Sequence, residues 1–164
     1  MKKKNWIGSG LVVAAIAWYA FRPELLFINK SVSETFPATS VAANSLDASA
    51  PKQLAVGQFK GYAHETEGKA GIYDVEGKRV LRLTNFKTSN GPDVHVYLVA
   101  APDAKDDATV KKAGFLDLGS IEGNVGDQNY DVPSTADLSK YQAVTIWCAR
   151  FNVNFGTAPM TATN

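Results

Sequence analysis

The chain has 164 residues, 45% of them hydrophobic, with 17 basic and 16 acidic side chains and a net charge of +1. One cysteine excludes an intrachain disulfide framework and any all-cysteine zinc or iron–sulfur site. Two histidines exclude most histidine-rich metal sites, and the charge balance carries no footprint for nucleic acid.

Residues 1–4 are Met-Lys-Lys-Lys, and Trp6 to Phe21 then run sixteen residues without a charge before Arg22 and Pro23. A basic stub followed by an apolar stretch predicts a secretory signal or an uncleaved signal-anchor helix over 1–28. Sixteen helical residues rise about 24 Å, slightly short of a hydrocarbon core of about 30 Å. Trp6 at one boundary and Trp18, Tyr19 and Phe21 at the other match an interfacial aromatic belt. Ala15-Ile16-Ala17 has the small-x-small form of a cleavage site, but cutting there leaves a very short apolar region. The anchor is therefore the preferred expectation. It places the lysines in the cytoplasm and the rest outside a single-pass cell membrane, or secreted if the segment is cleaved.

Residues 29–52 are rich in Ser, Ala, Thr, Asn and Pro with few large apolar residues, which predicts a flexible linker. Residues 53–164 form the folded part and carry eleven basic against thirteen acidic side chains, a net of −2. The near-neutral total thus reflects the N-terminal lysines. This length suffices for one ordinary core.

Short alternating runs between glycine turns fill this part. Gln58–His64 alternates, and Ala70–Val75 meets the hairpin signal Glu76-Gly77-Lys78 before Arg79–Phe86. Ser89–Pro92 reads as a turn ahead of the apolar strand Asp93–Ala100. Ala101–Lys112 reads as a loop or short helical excursion, Phe115–Ile121 as a strand, and EGNVGDQNYDVP as a glycine-rich turn. Leu138–Tyr141 follows Asp137, a candidate N-cap, and Ala143–Cys148 with Arg150–Phe155 closes the chain as one bulged strand or two. The expectation is an all-β fold, an antiparallel β-sandwich or small barrel of about seven or eight short strands.

Three stretches carry a family resemblance: GQFKGYAHETEGKAGIYDVEGKRVLRLTNFKTSNGPDVHVYLVA, FLDLGSIEGNVGDQNYDVP and VTIWCARFNVNFGTAPM. Together they cover nearly all of 57–160, and the chain resembles the DM-thirteen domain family, a Skeletor-type extracellular electron-transfer module. The N-terminal segment followed by ELLFINKSVSETFP is similar to bacterial members that tether one such domain outside the membrane. The resemblance implies a β-rich fold and a characteristic cysteine, here Cys148 in Trp147-Cys148. That cysteine is implied to act as a free thiol or as a ligand to a prosthetic group such as haem. In animals the domain accompanies haem-binding DOMON domains and b-type cytochromes, which implies a redox partner protein.

The residues themselves leave alternatives open. On Ala143–Cys148, Val144, Ile146 and Cys148 share one face, so Cys148 faces the aliphatic side as a small core hydrophobe would. An unpaired cysteine in an exported domain is nonetheless unusual, and Arg150 two positions on is placed to favour a thiolate. His64 and His95 each read as ordinary surface histidines, or with Cys148 as cofactor ligands. The thiolate, two imidazoles and Met160 are blue-copper ligand types, but no histidine follows Cys148 in its loop, which disfavours copper. A haem held by Cys148, His64 or His95 would be non-covalent, because no CxxCH motif occurs. Asp93, two residues before His95, either orients that imidazole or caps the Gly91-Pro92 turn.

Asp127, Asn129 and Asp131 alternate as in some calcium loops, yet lack the closing glutamate and read better as turn formers. No GxSxG elbow, HExxH helix or phosphate-cradling loop is present, so an enzyme is not the preferred reading. The leading expectation is a membrane-anchored extracytoplasmic redox accessory centred on Cys148, with His64 and His95 as ligands or neighbours. The alternatives are an envelope binding or adhesion module with an inert cysteine, and a haem or copper carrier.

Overall fold

The computed structural model describes residues 3–21, 28–37 and 51–163. The expected helix boundary at 22–27 and most of the expected linker, 38–50, lie outside the described residues. Helix α1 (Lys3–Phe21) forms over the uncharged run, and its described side chains, residues 10–19, are exposed. Among the described residues no helix is long and apolar enough to cross a membrane, so the expected spanning helix is not among the described elements.

Eleven strands follow among the described residues. They begin with β1 (Ser31–Ser33), β2 (Lys52–Gln58), β3 (Lys60–Gly61), β4 (Glu67–Val75), β5 (Lys78–Lys87) and β6 (Val94–Val99). Helix α2 (Asp107–Ala113) precedes β7 (Phe115–Ser120), β8 (Val125–Val132), β9 (Ala143–Cys148), β10 (Val153–Pro159) and β11 (Thr161–Ala162). One sheet has the order β1-β8-β5-β4-β2-β11 and the other β3-β10-β9-β6-β7. Neither sheet closes, so the molecule is an open sandwich, not a barrel, with more strands than the seven or eight expected. Every pairing is antiparallel except β1 with β8.

The surplus strands are short, or lie where composition argued against them. The stretch read as a glycine-rich turn contains β8, which pairs with β5 on one side and β1 on the other. Gly, Asp and Asn lower its strand propensity, but Gln128, Tyr130 and Val132 alternate inward and are buried. Asp127, Asn129 and Asp131 therefore lie on a ladder, not in a calcium loop.

Residues 29–37, read as linker, carry β1 and lie along that ladder. Polar groups hold this stretch in place of apolar burial. The Asn124 side chain accepts from the Lys30 amide at 2.7 Å and donates to the Asn29 side chain and the Thr88 carbonyl. Glu34 accepts from the Asn129 amide at 2.6 Å, and Arg82 reaches Asp127, Asn129 and the Glu34 carbonyl. Phe36 meets Tyr73 edge-on at 5.0 Å.

Other expected elements fall close to the observed ones. Glu76 and Gly77 both have positive φ, as a two-residue primed hairpin requires, and they join β4 to β5. The predicted strand Gln58–His64 is instead the end of β2 plus the two-residue β3. The expected excursion after Ala100 becomes α2, capped by Asp106, whose carboxylate accepts from the Thr109 amide at 2.7 Å. Strand β9 is buried along its whole length because both its faces are covered. Its inner face joins the main core with Leu81, Leu83, Val96 and Phe155. Its outer face is covered by Ala101, Ala104 and Val110 of the α2 region. Fully burying one such side chain as Ile146 contributes roughly 1.5–3 kcal/mol.

Candidate functional site

Cys148 ends β9, with Val94 of β6 and Val153 of β10 as its ladder partners. It is a free cysteine with 0% exposure, on the inner face with Val144 and Ile146. The predicted core placement is what the structure shows. Arg150 does not open the next strand; it is exposed in the turn between β9 and β10, while the thiol is fully enclosed.

His95 is paired with Trp147, not with Cys148. Side chains alternate across a strand, so His95 and Trp147 share the outer face and Cys148 points the opposite way. His64 lies beyond β3, where its ring packs on Phe155 at 4.0 Å. The expected gathering of Cys148, His64 and His95 is not formed. Among the described residues no group of three His, Cys, Asp or Glu side chains is placed to hold a metal ion. As a haem ligand the set also fits poorly: Cys148 is sealed among core side chains, and both ring nitrogens of His95 face carboxylates.

The structure does unite Asp93 with His95, and adds two residues that sequence reasoning missed. His95 Nδ1 lies 2.9 Å from Asp117 Oδ2, and Nε2 lies 3.1 Å from Asp93 Oδ1. Ser120 Oγ is 3.4 Å from the same Nε2. Asp117 and Ser120 arrive because β7 pairs with β6, setting Ser120 opposite His95 and Asp117 opposite Tyr97. The alternation Phe115-x-Asp117 was the available signal, but the partner strand was not legible. Partial burial acts to lower the His95 pKa, yet hydrogen bonding and charge from Asp117, then Asp93, raise it overall above the ordinary value.

Ser120, His95 and Asp117 resemble a hydrolytic triad in composition only. A carboxylate at each ring nitrogen favours the doubly protonated imidazolium, which has no lone pair to take the serine proton. Asp93 and Ser120 also line a cleft of about 460 Å³ at this end of the sandwich, between residues 28–30, the 90–94 turn and the 120–124 loop. At the other end a second cleft of about 460 Å³ is lined by Leu54, Ile72, Leu138, Tyr141 and Met160. Met160 thus belongs to that apolar cleft, with no histidine or cysteine among its lining residues.

Around Trp147 the outer face is aromatic. Tyr97 stacks on Phe115 with ring centroids 4.2 Å apart and planes 3° from parallel, and on Trp147 at 6.0 Å and 24°. Phe115 and Trp147 are both diagonal cross-strand neighbours of Tyr97, a separation aromatic rings span. Trp147 and Tyr97 are 3% and 5% exposed, whereas Phe115 is 44% exposed. Burial, then the nearby charges of Asp117 and Asp93, push the Tyr97 phenol pKa up.

These features define a class: an open β-sandwich module with one enclosed thiol, an outer aromatic stack, and no assembled metal centre or triad among the described residues. Residues 58–160 match the family model described as electron transfer DM13, which is well over half of the chain, and the chain belongs to that family. No curated protein and no solved structure matches it.

Proposed function

We propose that the chain is a membrane-tethered, extracytoplasmic electron-transfer accessory in which Cys148 is a protected one-electron site. The observation that carries the reading is the position of the chain's single cysteine. It is fully enclosed on a central strand of the matched domain, where no second thiol can trap it as a disulfide. Oxidising the thiol releases one electron and one proton. That proton passes to solvent. A redox partner protein supplies and removes the electron. The tether is supported by the sequence pattern of the N-terminal segment, the lysine stub and the uncharged run over which α1 forms.

The test is an equilibrium redox titration of the full chain against mediators of graded potential, counting electrons taken up per chain. The wild type is expected to exchange one electron and Cys148→Ala none; equal uptake by both overturns the assignment. One observation favours a second reading. Strand neighbours of Cys148 are aliphatic and its side chain sits in the packed core, as a structural cysteine would. In that reading the domain is a tethered binding module, and neither protein exchanges an electron.

A further inference from the structure

We propose that the Trp147–Tyr97–Phe115 stack is the conduit by which electrons reach β9 from the surface, and that Phe115 is the point of contact with the redox partner. The inference rests on the electron-transfer reading but not on Cys148 being the centre. Three observations carry it. The rings form one continuous series, 6.0 Å from Trp147 to Tyr97 and 4.2 Å from Tyr97 to Phe115. The series runs from enclosed to open, with only Phe115 substantially exposed. Its inner member is the residue next to Cys148 on the same strand, so the conduit ends one residue from the enclosed thiol.

The three rings differ in what they can carry. Trp147 gives up one electron and keeps its indole proton as a radical cation, so its oxidation needs no neighbouring base. Tyr97 would have to shed its phenolic proton, and its raised pKa makes the neutral phenol harder to ionise. Tyr97 and Phe115 therefore act as the bridging π-path and Trp147 as the stepping stone. In one direction a one-electron acceptor docked at Phe115 takes an electron from Trp147, is itself reduced, and leaves the indole radical cation. An electron from a one-electron donor, or from Cys148 with its thiol proton passing to solvent, then restores Trp147. Nothing is consumed beyond the donor's electron and the acceptor's vacancy. Asp117 and Asp93 act by their negative charge on the Tyr97 ring of the stack, offset in part by the His95 imidazolium between them.

The test is flash photolysis of the full chain with a ruthenium polypyridyl complex and a sacrificial quencher, which generates a one-electron oxidant in solution. Trp6 and Trp18 are replaced by Phe in every sample, so that Trp147 is the sole indole among the three tryptophans. The expected result is an indole radical absorption in the parent. It is lost in Trp147→Phe and forms more slowly in Phe115→Leu, whose exposed position tolerates the change. Circular dichroism and a shared unfolding midpoint establish that the variants are folded. Should Trp147→Phe fail to fold, Phe115→Leu decides alone, because an unchanged rate there overturns the surface contact. An indole radical that forms equally fast in Phe115→Leu, or none in the parent, refutes the conduit. Cys148→Ala in the same background separates the two claims: an indole radical of unchanged lifetime rejects the cysteine centre and leaves the conduit standing.

Discussion

Replacing Cys148 by Ser changes one atom at a site with 0% exposure, between the aliphatic ladder partners Val94 and Val153. The hydroxyl loses its water without gaining a designed partner, a loss of about 1–3 kcal/mol. Cys148→Ala leaves a small void but no orphaned polar group, so it is expected to be the milder change. Denaturant unfolding measures both, and the midpoint should fall more for Ser than for Ala while the slope stays constant. The same enclosure sets thiol reactivity. If labelling needs global opening, an ordinary stability of about 5 kcal/mol slows it more than about a thousandfold relative to the unfolded chain. Native Cys148 should thus resist a chromogenic disulfide reagent and react at once in denaturant. Fast labelling of the native protein, or a Ser variant as stable as wild type, would refute the account of this site.

The remaining predictions address the N-terminal stretch and the histidine. Arg82→Ala removes the 2.6 Å ion pair with Asp127, the hydrogen bonds to Asn129 and Glu34, and the cation–π contact with Phe36. With both partners partly exposed the loss should be about 1–3 kcal/mol, read by thermal unfolding and by faster amide exchange at 31–33. Gly126→Ala strains a residue at φ 104° and drives a Cβ into the Val32 carbonyl oxygen, so hydrogen exchange should report β1 released from β8. His95 has a raised folded-state pKa, so its contribution to stability is complete below the ordinary value of 6.5. It is lost as pH climbs through the raised value. His95→Gln should flatten the stability profile across that window, and an unchanged profile would remove His95 as its cause.

The sheet architecture was legible where polar and apolar residues alternate cleanly. The β4–β5 hairpin follows from that period, whereas β9 was legible as a short apolar run with Val144, Ile146 and Cys148 on one face. Strand β8 was hidden because Gly126, Asp127 and Asn129 look like turn residues, although each is suited to its ladder position. Gly126 gives room for the close approach of β1, while Asp127 and Asn129 answer Arg82. Strand β1 was hidden for a related reason: polar contacts that exist only after folding hold it, and composition cannot reveal them. At the candidate site, the Asp93–His95 neighbourhood was readable from spacing two apart. Asp117 and Ser120 required the pairing of β6 with β7, which no local pattern specifies. The hope of joining His95 to Cys148 failed on register alone, because a residue opposite Trp147 must share its face.

The most direct test of the electron-transfer account is protein-film voltammetry of the full chain beside Cys148→Ala and Trp147→Phe. The account predicts a one-electron wave in the wild type and no wave in Cys148→Ala. In Trp147→Phe the wave should keep its potential but exchange electrons more slowly. A wave of the same size and rate in all three proteins, or none in any, would contradict it.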